Sequence, residues 1–236
     1  MAIWAIADLH LSFSSNKPMD VFGGRWINYE EKLKENWCAK IKPEDTILMP
    51  GDFSWATYLE DTKPDFAFLE SLPGTKILAK GNHDYWWQTI KSMDSFLMLN
   101  NFKSIHFLLN NAYLVEDKII VGTRGWYFND SEDNFEKMYK REVNRLELSI
   151  KDGIKKYGDD KEIICMMHYP PITKNMIDAN VKSNYLELLK KYSIKTLIYG
   201  HLHAESHKEA VEGNVDGIEL KLISSDYLNF DPYKLF

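Results

Sequence analysis

Histidines and carboxylates recur in this chain at one kind of position. The stretch Gly81-Asn82-His83-Asp84 follows the apolar run Lys76-Ile77-Leu78-Ala79 and precedes Tyr85-Trp86-Trp87-Gln88-Thr89-Ile90, which reads as the start of a helix. Asn82 offers a neutral carbonyl oxygen. His83 offers an imidazole that gains or loses a proton near neutral pH. Asp84 offers an anion able to fix the ring of His83. Gly, Asn and Asp also serve plain turn geometry, so the tetrapeptide alone does not demand chemistry. Four other apolar runs end in the same way. Residues 2–7 run into Asp8-Leu9-His10, residues 46–49 into Pro50-Gly51-Asp52, residues 163–167 into His168, and residues 196–199 into Gly200-His201-Leu202-His203. Residues two apart on a strand project to one side, so Asp8 and His10 point together.

Five of the seven histidines fall at these run ends, which packing alone does not explain. The donors are nitrogen and oxygen with no thiolate, a set suited to Mn, Fe, Zn or a similar divalent ion. Asp8, His10, Asp52, Asn82, His168, His201 and His203 are too many for one tetrahedral ion. They suit two divalent metal ions sharing a carboxylate, and two ions about 3.5–4 Å apart clamp a phosphate and ionise a water.

The blocks Asp8-x-His10, Gly51-Asp52, Gly81-Asn82-His83-Asp84, His168 and Gly200-His201-x-His203, in this order, resemble the signature of the calcineurin-like metallophosphoesterases. The resemblance implies an α/β (α+β) fold, an αββα sandwich of two mixed sheets flanked by helices with the metals at the strand ends. It implies that Asp8, His10, Asp52 and His203 hold one metal and Asn82, His168 and His201 the other, with Asp52 bridging. It implies that His83 contacts the phosphate and protonates the leaving oxygen while Asp84 orients it. The implied reaction is phosphoester hydrolysis by a metal-bridging hydroxide, on mono- or diesters.

The elements that must position these groups follow from periodicity. Tyr29 to Lys40 reads as an amphipathic helix with Leu33, Trp37 and Ile41 at helical spacing. Pro64 suits a first helical position, with Phe66 to Ser71 completing a short helix. A helix is expected from the residues after Asp84 to about Met98. Three short runs, 105–109, 112–115 and 118–121, with Asn110-Asn111 and Glu116-Asp117 as tight connections, read as a β-meander at the centre of a sheet. His106 falls within it as a strand residue without a catalytic role. Residues 131–157 read as the longest helix, with an apolar stripe from Phe135 to Tyr157. A loop to about Ser183, a helix at 184–192, and strands at 207–211 and 218–223 complete the chain, read as one domain.

Arg124 lies between two glycines in Gly122-Thr123-Arg124-Gly125-Trp126, at the end of a strand. A planar guanidinium suits bidentate contact with phosphate oxygens, which makes Arg124 the candidate substrate-binding residue and Arg25 a weaker one.

Composition sets the bounds. With 44% hydrophobic residues over 236 positions, a substantial core is expected. A net charge of -6 with no block of like charge argues against non-specific nucleic-acid binding. A nuclease would need a basic or aromatic groove, for which Trp86, Trp87 and Trp126 are the candidates. A lipid-directed pyrophosphatase would need an amphipathic insertion, and only 131–157 qualifies. Cys38 and Cys165 form no metal-type spacing, and reduced thiols fit a cytoplasmic protein. No leader-like segment or membrane-length run is present. Only four of the 29 basic residues are arginine, as expected of an AT-rich bacterial genome. The partner expected is a small phosphorylated substrate, chosen by loops 11–28, 53–63, 124–134 and 169–183.

Overall fold

The computed structural model describes residues 1–15, 17–126 and 135–236. Strands β1 (Ile3–Ala5), β2 (Thr46–Met49), β3 (Thr75–Ala79) and β4 (Ile105–Leu108) run parallel, and β11 (Tyr233–Lys234) adds antiparallel to β1. The second sheet has the order β5 (Tyr113–Val115), β6 (Lys118–Thr123), β7 (Glu162–Met167), β8 (Thr196–Tyr199), β10 (Ile218–Leu222) and β9 (Gly213–Val215). Its four central strands are parallel and its two edges antiparallel. Both sheets are therefore mixed.

Alternation along the strands builds the layers. Ile3, Ala5 and Ala7 face inward with Leu48, Ile77 and Ala79, against Ile120, Ile164, Met166 and Ile198 of the second sheet. Trp4, Ile6, Ile47 and Met49 face outward, onto the cluster that includes Leu33 and Trp37 of α1 (Tyr29–Lys40), Phe66 of α2 (Lys63–Ser71) and Met93 of α3 (Ile90–Leu99). Ile119, Val121, Cys165 and Leu197 face the other way, onto Leu146 and Ile150 of α4 (Phe135–Tyr157). A short α5 (Lys174–Asp178) and α6 (Asn184–Lys191), which buries Tyr185, Leu186, Leu188 and Leu189, finish that layer. The result is the αββα sandwich expected. The helices at 29–40 and 63–71 stand where periodicity put them.

Several local expectations are corrected. The runs after Ser104 do not form a meander. β4 pairs with β3 at the edge of the first sheet, whereas β5 and β6 form a hairpin in the second. Asn110-Asn111 is the crossing between sheets. The Asn111 amide carries the bend, accepting from Leu109 N (2.7 Å) and donating to Phe107 O (3.2 Å). The helix after Asp84 begins only at Ile90, where Thr89 caps it by accepting from Ser92 N at 3.3 Å. Residues 204–209 form a 3-10 turn and not a strand, which places His207 beside the site. Of the helix expected over 131–157, residues 131–134 lie outside the described residues. Among the described residues no helix is long and apolar enough to cross a membrane.

Candidate metal centre

Four of the seven candidate ligands sit in left-handed backbone. Asp8 has φ 60°, His10 φ 48°, Asp52 φ 52° and His201 φ 76°. Non-glycine residues pay for this conformation, and such strain collects at functional sites. It lets the chain fold back just past each strand so that side chains converge. Two glycines make room. A Cβ on Gly81 would lie 2.0 Å from Asp52 Oδ1, and one on Gly200 would lie 2.4 Å from Asp8 Oδ2. Only a bare Cα allows the carboxylates to stand there.

All seven candidates converge on one spot. Asp8, His10 and His203 form one group of converging ligand atoms, and Asp8, Asp52 and His168 form another. Asp52 Oδ2 lies 3.8 Å from His10 Nε2 and 3.5 Å from His168 Nε2. Asn82 Oδ1 lies 2.6 Å from His168 Nε2 and 2.9 Å from His201 Nδ1. His10 Nε2 and His203 Nε2 face each other at 3.2 Å.

These contacts fit cations better than they fit each other. His168 Nδ1 lies 3.0 Å from Pro50 O, so that nitrogen carries the proton and donates. Burial holds the His168 ring well below its ordinary pKa despite Asp8, so it is neutral. Nε2 then presents a lone pair to the lone pairs of Asn82 Oδ1. A cation bound by both removes the conflict. Burial likewise lowers His10 to about 3 and His201 to about 4, as neutral metal-binding imidazoles require. Burial, with Asp84 and Asp8 alongside, pushes Asp52 well up, so positive charge is needed to keep it ionised.

His203 differs. Burial opposes its charge, but hydrogen bonds and attraction from Asp226 and Asp8 raise it to about 10. Its Nδ1 donates to Asp226 Oδ1 at 2.9 Å, and its Nε2 lies 3.6 Å from Asp8 Oδ1. A metal at Nε2 would displace the proton held there. Asp226 is buried, also accepts from Ala204 N at 3.0 Å, and lies 3.3 Å from His207 Nε2. Sequence reasoning missed Asp226, because Ser224-Ser225-Asp226 follows a strand with no histidine beside it. The signal was its place at the end of the run 218–223. The same segment pins Asp8: Ser225 N donates to Ala7 O and Ser225 Oγ to Asp8 O, at 2.9 and 2.6 Å.

Asp84 does not orient His83, contrary to the expectation. Its buried carboxylate accepts from Gly81 N, Asp52 N, Phe53 N, Ser54 N and Trp86 Nε1, at 2.7–3.4 Å. Asp84 thereby fastens the Asp52 loop to the Asn82 loop. His83 Nδ1 has no hydrogen-bond partner among the described residues. Its ring is placed instead by packing, 4.4 Å from Trp55 and 5.6 Å from His10, and its backbone N donates to Asp52 Oδ1 at 2.8 Å. Trp55 also stacks on His10 at 5.0 Å. Trp86 is buried against Phe53 and Phe66 and offers no free face to a base, whereas Trp87 is half-buried and meets Phe107 edge to face.

Arg124 lies beside the centre and contacts none of its ligands among the described residues. Its guanidinium sits 4.6 Å over the Trp126 ring, and its carbonyl accepts from Tyr169 N, next to His168, at 2.9 Å. Arg25 is exposed on a 3-10 turn, next to buried Trp26, whose ring lies 5.9 Å from that of His10.

Comparison with known proteins agrees with this fold. No curated protein matches the sequence. Among solved structures, the chain is similar to phosphopantetheinyl hydrolase (PptH) from Mycobacterium tuberculosis, with 11% identity and TM-score 0.56 over 100% of this chain and 95% of that one. It is also similar to the protein TT1561 of Thermus thermophilus, with 14% identity and TM-score 0.53 over 85% and 81%. A protein of unknown function, AQ665 from Aquifex aeolicus, matches at 19% identity and TM-score 0.50 over 99% and 95%. At these identities the likeness is one of fold. The sequence model of the calcineurin-like phosphoesterases matches residues 1–205, and the chain belongs to that family.

Proposed function

We propose that this protein is a dinuclear metal-dependent phosphohydrolase acting on a small phosphate mono- or diester. The observation that carries the reading is the position of Asp52, one carboxylate between His10 Nε2 at 3.8 Å and His168 Nε2 at 3.5 Å. A bridging ligand needs that position. Asp8, His10, Asp52 and His203 would hold one divalent ion, and Asp52, Asn82, His168 and His201 the other, with Mn, Fe or Zn suited to the donor set. When bound, the ions supply charge for the phosphoryl oxygens and acidify a water.

The chain's own residues do the rest. His83, half-buried beside His10, is the group available to protonate the departing oxygen. Its free Nδ1 leaves the ring without a carboxylate partner. Burial, the His203 charge and Lys17 lower its pKa, while Asp8 opposes. Trp55 covers one side of His83 and His10 and limits water there. The overall charge of -6 supports a small substrate over a nucleic acid.

A kinetic panel of mono- and diester substrates with Mn, Fe and Zn tests the reading, run beside Asp52→Asn. Turnover that needs added metal and collapses in Asp52→Asn, with loss of bound metal, is the expected result. Full occupancy by two ions in Asp52→Asn would sink the bridging assignment.

A further inference from the structure

Tyr85 projects from the surface between two residues that lie wholly inside. Asp84 and Trp86 are buried, whereas Tyr85 is 59% exposed. Its neighbours fix its backbone. The Asp84 carboxylate accepts from Gly81 N at 2.7 Å and from Trp86 Nε1 at 3.1 Å, and Tyr85 N donates to His83 O at 2.8 Å. A solvent-facing ring is thus carried on anchored backbone, where a tyrosine makes contacts at small entropic cost. Single exposed aromatics are ordinary on protein surfaces, so exposure alone assigns nothing.

Position does. The Tyr85 ring lies 6.1 Å from that of His83, at an interplanar angle of 85°. Among the described residues, two further rings approach His83. His10, 5.6 Å away, is a candidate metal ligand. Trp55, 4.4 Å away, is half-buried and already engaged. His10 stacks on it at 5.0 Å, Lys17 Nζ lies 4.5 Å from its ring centre, and its Nε1 donates to Met19 Sδ at 3.0 Å. Of these three rings, Tyr85 has its surface left over.

A leaving oxygen that takes its proton from His83 comes within about 2.6–3.2 Å of that ring. The organic group on the oxygen then extends past the rings around His83, and Tyr85 is the one open to it. An aromatic pair gains affinity beyond the area it buries. We propose that Tyr85 is a specificity-determining residue that forms one wall of the leaving-group site, so that the preferred substrates are phosphate esters of a planar, unsaturated ring system. This rests on the phosphohydrolase reading above, with His83 as the acid.

The test uses the Mn-loaded full chain and two phosphonates that cannot be hydrolysed, benzylphosphonate and cyclohexylmethylphosphonate. They match in size and charge and differ in whether the ring is planar. Their dissociation constants are read by calorimetry. Benzylphosphonate should bind about threefold to tenfold more tightly, the usual worth of an aromatic pair. Tyr85→Ala and Tyr85→Leu should bring the ratio to about one, and Tyr85→Phe should keep it. The ratio is taken within each variant, so any change in metal affinity cancels. The exposed Tyr85 side chain empties no core when it is removed, and an unchanged melting temperature checks that the variants are folded. Equal binding of the two phosphonates by the wild type overturns the proposal, as does a preference that Tyr85→Ala leaves intact. Turnover of p-nitrophenyl phosphate on the same sample judges the phosphohydrolase reading separately. Turnover without a benzyl preference overturns the Tyr85 proposal alone, whereas absence of both turnover and phosphonate binding overturns both.

Discussion

His203 Nδ1 donates to Asp226 Oδ1 at 2.9 Å, a contact that joins the last ligand block to a segment beyond the family match at residues 1–205. The bond fixes which nitrogen of His203 faces the centre. Carboxylates behind metal-binding imidazoles orient the ring and raise its basicity. Asp226 positions His203, so under the proposed dinuclear reading its loss should loosen one metal site before the other.

Asp226→Ala should weaken the site of Asp8, His10 and His203 by about 10–100-fold. Asp226→Asn keeps an acceptor for Nδ1 and should recover part of that loss. Calorimetric metal titration separates the two sites. Unchanged affinity with a lowered melting temperature would make Asp226 merely structural.

His83→Ala should retain both metals while turnover falls by about 10²–10⁴-fold, the usual worth of a general acid. The loss should shrink for p-nitrophenyl esters, whose leaving group needs little protonation. Because Asp84 bonds backbone amides and not the His83 ring, Asp84→Asn should act differently, lowering the melting temperature and metal content together. Equal losses in His83→Ala for good and poor leaving groups would count against the role.

Gly81→Ala should abolish metal binding at the bridging position. The added methyl would lie 2.0 Å from Asp52 Oδ1 and 2.3 Å from Asp52 N, so the bridging loop has to move. Overpacking of this kind costs roughly 1–3 kcal/mol. Gly24→Ala is the control, since a Cβ there meets nothing within 4 Å. Metal content and melting temperature of the two variants decide the matter.

Lys76 supplies a pH signature independent of the centre. It is fully buried, its Nζ donates to Leu72 O and lies 3.1 Å from Ser104 Oγ, and burial lowers it to about 8. Below pH 8 both folded and unfolded chains carry the charge, and folding bears its desolvation. Between about 8 and the ordinary lysine value of 10.5 the unfolded chain binds more protons, so stability rises with pH. Wild-type minus Lys76→Met stability should therefore climb across that window, by on the order of 1–3 kcal/mol. A flat difference curve from denaturant titrations would refute it.

The candidate ligands were legible in the sequence because parallel strands end at one edge of a sheet. An apolar run stopping at Asp8, Asp52, Asn82, His168 or His201 names both the strand and the point where it stops. The helices at 29–40 and 63–71 were legible for a related reason, since a period of 3.6 needs no distant partner to be read. Pairing does need one. Nothing local distinguishes Ile105–Leu108, which joins the first sheet, from Lys118–Thr123, which joins the second, and Asn110-Asn111 could have turned either way until the Asn111 amide bonded across the bend. Side-chain direction was hidden for the same reason. Asp84 adjoins His83 in sequence, yet it points at the amides of a loop thirty residues earlier, because those buried donors cost more unsatisfied than an imidazole packed on Trp55. Asp226 reaches His203 from 23 positions away. Residue type at a strand end is a one-dimensional property, and the chain carries it openly. Which charge meets which is decided only when two sheets and a helix close on one another and water is excluded between them.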